Sequence, residues 1–133
     1  MDADGTNQRQ LTHPYQLADT EEDEDRSPNW SPDGTVIAFS RLHEPHLGPT
    51  GSTRYRQDIY VIRPDGTGLQ RLTRLTTDNV SPAWSPDGKR IAFASDRGRD
   101  DLYDIYVMNA DGTKQTRLTR TADSDFPNWQ PRR

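Results

Sequence analysis

Four stretches of this chain hold residue types that bind metal ions or move protons. His43-Glu44-Pro45-His46 offers two imidazoles and a carboxylate, a donor set that suits zinc when the side chains converge. It is one residue too short for H-E-x-x-H, and Pro45 disfavours the helix that would align such ligands, so it reads as a surface loop. The acidic run Asp19, Glu21, Glu22, Asp23, Glu24 and Asp25 carries hard oxygen donors of the kind calcium takes. It lacks the Asp/Gly spacing of a defined calcium loop and reads as a solvated acidic loop, or as a docking surface for a basic partner. Asp2-Ala3-Asp4-Gly5 superficially matches a D-x-D-G loop. Its counterparts later in the chain, Arg63-Pro64-Asp65-Gly66 and Asn109-Ala110-Asp111-Gly112, keep only Asp-Gly, so the demand is for a turn. Asp96, Asp100, Asp101 and Asp104 cluster, but acid–base work by a carboxylate pair needs a cleft that shifts a pKa. Asp104 also has a counterpart, Asp58, which favours a structural hydrogen bond or turn role.

Other catalytic signatures are missing. Gly66-Thr67-Gly68 is the one G-x-G, without a third glycine, and it falls in a hairpin rather than a nucleotide loop. No G-x-S-x-G is present, which excludes a hydrolase nucleophile elbow in this chain. Zero cysteines exclude disulfide scaffolds, Cys-ligated zinc and thiol nucleophiles. Asn29-Trp30-Ser31 and Asn79-Val80-Ser81 match N-x-S but lie on expected inner strands, where a glycan would not fit. No catalytic, cofactor-binding or metal-ligating residue is assigned, and no cofactor is expected.

The elements that carry these residues are set by a polar composition. Leu, Ile, Val and Phe number 9, 5, 4 and 3, so 21 of 133 residues, or about 16%. That falls below the roughly 20% that marks disorder when net charge is also large. The net charge is only −4, so the second condition fails. No apolar run approaches the roughly 18 residues of a membrane span, and Met1-Asp2-Ala3-Asp4-Gly5 shows no signal-peptide pattern. Lys and Arg are scattered, with no basic footprint for nucleic acid.

Internal repeats organise the chain. Trp30, Trp84 and Trp129 stand in Ser27-Pro28-Asn29-Trp30-Ser31-Pro32, Ser81-Pro82-Ala83-Trp84-Ser85-Pro86 and Phe126-Pro127-Asn128-Trp129-Gln130-Pro131. The first two continue through Asp33-Gly34 and Asp87-Gly88 into Val36-Ile37-Ala38-Phe39-Ser40 and Arg90-Ile91-Ala92-Phe93-Ala94. Asp58-Ile59-Tyr60-Val61 and Asp104-Ile105-Tyr106-Val107 follow. Asp4-Gly5-Thr6, Asp65-Gly66-Thr67 and Asp111-Gly112-Thr113 each lead to Leu-Thr, at 11–12, 72–73 and 118–119. The unit of about 46 residues lies in the period of four-stranded propeller blades.

Each unit reads as four short strands. In the second these are Asn79 to Trp84, Arg90 to Ser95, Asp104 to Met108 and about Lys114 to Thr119. Ser85-Pro86-Asp87-Gly88 makes a tight turn and Asn109-Ala110-Asp111-Gly112 a hairpin turn. Ile105-Tyr106-Val107-Met108 is apolar without alternation, as in a strand covered on both faces. The tryptophans, and Tyr60 and Tyr106, read as packing between blades, where one large aromatic per blade lets few leucines suffice. Two insertions, 13–27 and 43–57, read as exposed loops.

The run Ser81 to Asp96, continued by Asp104 to Thr119, resembles the WD40-like (PD40) repeat of TolB-type β-propellers. The resemblance spans nearly all the chain outside the two insertions. It implies an all-β fold, a partial β-propeller with two complete four-stranded blades plus an orphan strand at each end. The single unit 1–133 then divides into an outer strand of a preceding blade (1–12), blades at 28–73 and 79–119, and a closing inner strand (124–131), with Arg132-Arg133 where Asp-Gly would stand. Propellers close with roughly 4–8 blades, so the expectation is the C-terminal part of a larger propeller. Self-assembly into a ring and a truncated reading frame are the alternatives. The resemblance further implies a non-catalytic protein-binding or scaffold module, periplasmic or otherwise extracytoplasmic, that docks partners through rim loops 15–26 and 43–56. The alternative is a propeller domain that gates access to a prolyl-oligopeptidase-like serine peptidase. The remaining blades, or self-association, are needed to cover the open faces. No nucleic-acid partner and no membrane insertion are expected.

Overall fold

The computed structural model describes residues 5–12, 24–47, 53–74, 77–97, 102–120 and 126–130. Eight strands run in chain order: β1 (Asp25–Trp30), β2 (Ile37–Leu47), β3 (Thr53–Ile62), β4 (Gln70–Arg71), β5 (Asn79–Trp84), β6 (Arg90–Ser95), β7 (Asp104–Asn109) and β8 (Thr116–Arg117). They form two antiparallel meanders, β1-β2-β3-β4 and β5-β6-β7-β8, which are the two expected blades.

Local chemistry fixes the turns. In the β5–β6 turn the Gly88 amide donates to the Ser85 carbonyl at 2.8 Å, with Pro86 at the first central position. The Ser85 hydroxyl donates to Asp87 Oδ1 (2.6 Å) and accepts from the Arg90 amide (2.9 Å). Ser31, Asp33 and Val36 repeat the same bonds in the first blade. At the β3–β4 and β7–β8 turns, Asp65 and Asp111 each accept from the amide and hydroxyl of the following threonine. Those bonds pull both carboxyls, and likewise Asp33, below their ordinary range.

Each inner strand carries one irregularity. The pairing slips between Arg26 and Asn29 in β1 and between Val80 and Ala83 in β5. Ser27 (φ 53) and Ser81 (φ 54) take left-handed backbone there, each followed by a proline with no N–H to offer a ladder.

The blades stack face to face. The main core joins Ala38, Ile59, Val61 and Leu72 of the first blade to Ile91, Phe93, Tyr106 and Met108 of the second, with Trp84 packed against it. Gly112, at φ 86, lies so close to the outer strand of the first blade that a Cβ there would meet the Leu72 carbonyl at 2.9 Å. A smaller cluster, Ile37, Phe39 and Ile62, faces the other way and is covered by Leu11 and Tyr60.

Three expectations need correction. The stretch 43–57 is not simply a loop. β2 and β3 run eleven and ten residues and pair as far as His46↔Arg54 and Leu47↔Thr53, with a slip between His43 and His46. Pairing across the hairpin imposes strand form on a sequence without alternation. Trp30 is 55% exposed rather than packed, because no blade stands in front of β1 among the described residues. β7 is buried alternately, at Asp104, Tyr106 and Met108, because among the described residues only segment 126–130 follows the second sheet. Segments 5–12 and 126–130 carry no strand ladder among the described residues.

Candidate partner-docking rim

A four-stranded meander brings the start of its first strand and the connection between its second and third strands to the same end of the blade. In the first blade this end holds both departures from the repeat spacing. Asp25 pairs in register with Arg41, and the Leu42 amide donates to the Glu24 carbonyl at 2.9 Å. Arg41 is buried and makes a two-pronged ion pair with Asp25, Nε at 2.6 Å and Nη2 at 2.8 Å. Its guanidinium also lies 5.4 Å from the Phe39 ring centroid and 5.1 Å from that of Tyr60. Arg26 pairs with Glu24 on the surface. The described part of the acidic stretch is thus tied down, while Asp19, Glu21, Glu22 and Asp23 lie outside the described residues.

Just inside this rim stands a buried carboxylate in each blade. Asp58, 1% exposed, accepts from Thr73 Oγ1 and Arg71 Nη2, each at 2.5 Å. The Thr73 hydroxyl oxygen in turn accepts the Ile59 amide at 2.9 Å. In the second blade Asp104 pairs with Arg117 and accepts from Thr119 Oγ1 at 3.2 Å, and Thr119 accepts from the Ile105 amide at 2.8 Å. Each Asp therefore ties its third strand to its fourth. The sequence marks Thr73 and Thr119 as recurring Leu-Thr positions but assigns them no bond to the aspartates, and Arg71 and Arg117 receive no role there. The signal was available, because Asp to Arg is thirteen residues in both units.

The two rims differ above this lock. Asp58 also accepts from Asn79 Nδ2 of the next blade at 3.3 Å and lies 3.3 Å from His43 Nε2. His43 sits 3.5 Å from the Tyr60 hydroxyl. The second blade has Arg97 at that place, 4.4 Å from the Tyr106 ring centroid. Arg97 donates to Asn79 Oδ1 at 2.8 Å and Gln115 Oε1 at 2.7 Å, and burial lowers its pKa. Asp78 completes the junction, accepting from the Tyr103 hydroxyl (2.6 Å) and the Gln57 amide (2.7 Å). Burial pushes its carboxyl above the ordinary value despite these donors.

The residues considered for chemistry are therefore dispersed. His43 contacts Asp58 and Tyr60, and the described residues hold no group of three metal-type side chains. Asp104 belongs to the lock, while the Asp96 carboxylate accepts the Asp78 amide at 2.8 Å. Asp100 and Asp101 lie outside the described residues, as do Asp2 to Asp4. Asn79 is fully buried, and the Asn29 side chain accepts the Trp84 amide at 3.0 Å. The Trp129 indole donates to the Ala83 carbonyl at 2.9 Å, with Arg90 5.2 Å from its ring centroid. No described helix is long and apolar enough to cross a membrane.

This chain is similar to known proteins. A Tol-Pal system protein TolB from Alcanivorax borkumensis is 30% identical over 104 residues, covering 69% of this chain and 22% of that protein. Dipeptidyl-peptidase 5 from Porphyromonas gingivalis is 35% identical over 68 residues, covering 51% of this chain and 9% of that protein. The solved structure of a TolB from Agrobacterium tumefaciens superposes with a TM-score of 0.59 at 28% identity, covering 74% of this chain and 31% of that one. The chain thus spans less than a quarter of the length of these two sequence relatives. Residues 26–133 match the PD40 family, the TolB beta propeller domain, and with two blades repeating one set of turns, locks and stacked faces, the chain belongs to that family.

Proposed function

We propose that this chain is a non-catalytic binding or scaffold module that docks a protein partner on the rim holding residues 15–26 and 43–56. The observation that carries the reading is the meeting of both departures from the repeat at one end of the first blade, tied by Asp25–Arg41 and by the Leu42–Glu24 bond. Rigid blades supply a fixed base, and the variable connections supply the contact. The similarity to Tol-Pal system proteins supports a partner-binding role and an extracytoplasmic setting. The test deletes 15–23, or replaces 43–56 with the shorter connection found at 97–102, and compares the proteins captured by crosslinking. Loss of a captured protein in either variant is expected. An unchanged set in both would remove the rim from consideration.

A second reading has its own support. The similarity to Dipeptidyl-peptidase 5 fits a propeller that filters access to a peptidase domain. A hydrolase domain encoded in the same polypeptide would favour it over the scaffold reading.

A further inference from the structure

The same place in the two blades holds two different bases. His43 stands four residues after Phe39, and Arg97 four residues after Phe93. Each contacts the tyrosine that stacks on that phenylalanine. The His43 ring centroid is 5.8 Å from that of Tyr60, and the Arg97 guanidinium lies 4.4 Å from that of Tyr106. A guanidinium keeps its charge throughout the physiological range, whereas an imidazole is the side chain that changes charge between about pH 5 and 8.

A change of charge on His43 has a target. Its Nε2 is 3.3 Å from Asp58 Oδ2 and 3.5 Å from the Tyr60 hydroxyl, and the Asp58 side chain is 1% exposed against 27% for His43. With a proton on both ring nitrogens, Nε2 donates to a carboxylate as an ion pair. Without that charge it either donates as a neutral group or turns a lone pair towards the carboxylate, and both are weaker. Three guanidiniums share the place. Arg71 donates to the same Asp58 oxygen from β4, Arg41 on the same strand pairs with Asp25, and Arg56 is the backbone partner of His43 in β3. Asp78 and Arg97, across the junction, sense the Asp58 charge. The neighbouring cations limit what a further charge is worth, so the contact is a modest one.

The position is also a mechanical one. His43↔Arg56 is the last pair before the register slips, and pairing resumes at His46↔Arg54. The outer part of the β2–β3 extension is therefore joined to the blade through this pair. We propose that His43 is a pH-sensitive tie at the root of the extension, tightened by protonation at mildly acid pH and slackened as pH rises. The second blade keeps a permanently charged residue at the same place. The effect on a docked partner rests on the rim reading above, and the tie itself does not.

Amide hydrogen exchange of the full chain, corrected for intrinsic rates and compared at about pH 5.5 and about pH 7.5, tests the tie. In the wild type, protection of the amides at 43–47 and 53–56 is expected to fall about threefold from the lower pH to the higher. His43→Gln, neutral at both, should show the lower protection throughout. His43→Arg, charged at both as Arg97 is, should show the higher. A chain with His13→Gln and His46→Gln together should keep the wild-type response, which separates His43 from the other two histidines. Asp78, whose carboxyl is pushed up by burial, is present in all four proteins and cancels in the comparison. Equal wild-type protection at the two pH values, whether high or absent, would overturn the proposal. So would a response that survives in His43→Gln or disappears with the other two histidines. The readout needs no partner, so an unchanged set of captured proteins in the rim variants would count against docking alone.

Discussion

The third strands of the two blades carry nearly the same residues and are buried differently. In β3, Ile59 and Val61 are covered by the second blade, and Ile62 is covered on the opposite face beside Leu11. In β7, Tyr106 and Met108 are covered by the first blade, while Ile105 and Val107 on the far face remain half-buried. The stacked aromatic pairs tell the same story. Phe39–Tyr60 and Phe93–Tyr106 both have centroids 5.9 Å apart, at 24° and 28° between planes. Their geometry comes from the blade itself, and their burial comes from whichever blade stands in front. In a stacked-sheet protein the residue pattern sets the shape of each layer, and the neighbour sets what that shape is worth.

Truncating the two phenylalanines puts this comparison to the hardest test. Phe93→Ala empties a fully buried site between two whole sheets and should cost about 3–5 kcal/mol in chemical denaturation. Phe39→Ala, covered by a single segment that can collapse inward, should cost clearly less. Equal losses would mean that the first blade's outer face is as firmly packed as the junction. The carboxylate locks give the next largest effect. Asp58→Ala and Asp104→Ala should each cost about 2 kcal/mol, below the roughly 3–5 of a fully buried pair because Arg71 and Arg117 are partly hydrated. Asp58→Ala should cost more of the two, since it also releases Asn79 across the junction. A larger loss from Asp104→Ala would break that ranking.

Much of this layering was legible in the sequence because it is encoded locally. Ser-Pro-Asp-Gly specifies its turn through bonds made within six residues, and the Trp, Ile-Ala-Phe and Ile-Tyr-Val segments recur at matched offsets. The β2–β3 extension was not legible. His43-Glu44-Pro45-His46 has neither alternation nor β-branched residues, and only the strand opposite makes it extended. The exposure of Trp30 was hidden for a related reason, since its residue pattern equals that of Trp84 and the difference is a neighbour. At the rim, Asp58 and Asp104 read as structural, but their arginine partners stand out from the other arginines of a polar chain only once the thirteen-residue spacing is matched between the two units.

The smallest predicted effect concerns pH and the junction at Asp78. Its carboxyl holds a proton more readily in the folded chain than in the unfolded one, because burial penalises the charge. Its contribution is therefore present below the ordinary carboxylate value of 3.8 and is lost as pH rises through the elevated folded value. Asp78→Asn should remove that one component, seen as a difference between the variant's and the wild type's thermal midpoints across acid to neutral pH. The exposed Asp33, Asp65 and Asp111 work in the opposite sense and are common to both proteins, so they cancel in the difference. Parallel curves would show that Asp78 stays hydrated and that the junction is looser than its hydrogen bonds suggest.

The Ser-Pro irregularity in β1 and β5 bears on what can pair with the edges of the two sheets. An inner strand with an open edge is a row of unsatisfied amides and carbonyls, a template on which stray chains add as further strands. At Ser27-Pro28 and Ser81-Pro82 the left-handed serine turns the edge out of line, and the proline contributes no donor. A strand arriving from outside would find its ladder interrupted near the middle of each six-residue strand. The blades can thus meet one another through side chains and faces while the edges of β1 and β5 offer a poor template to an invading strand.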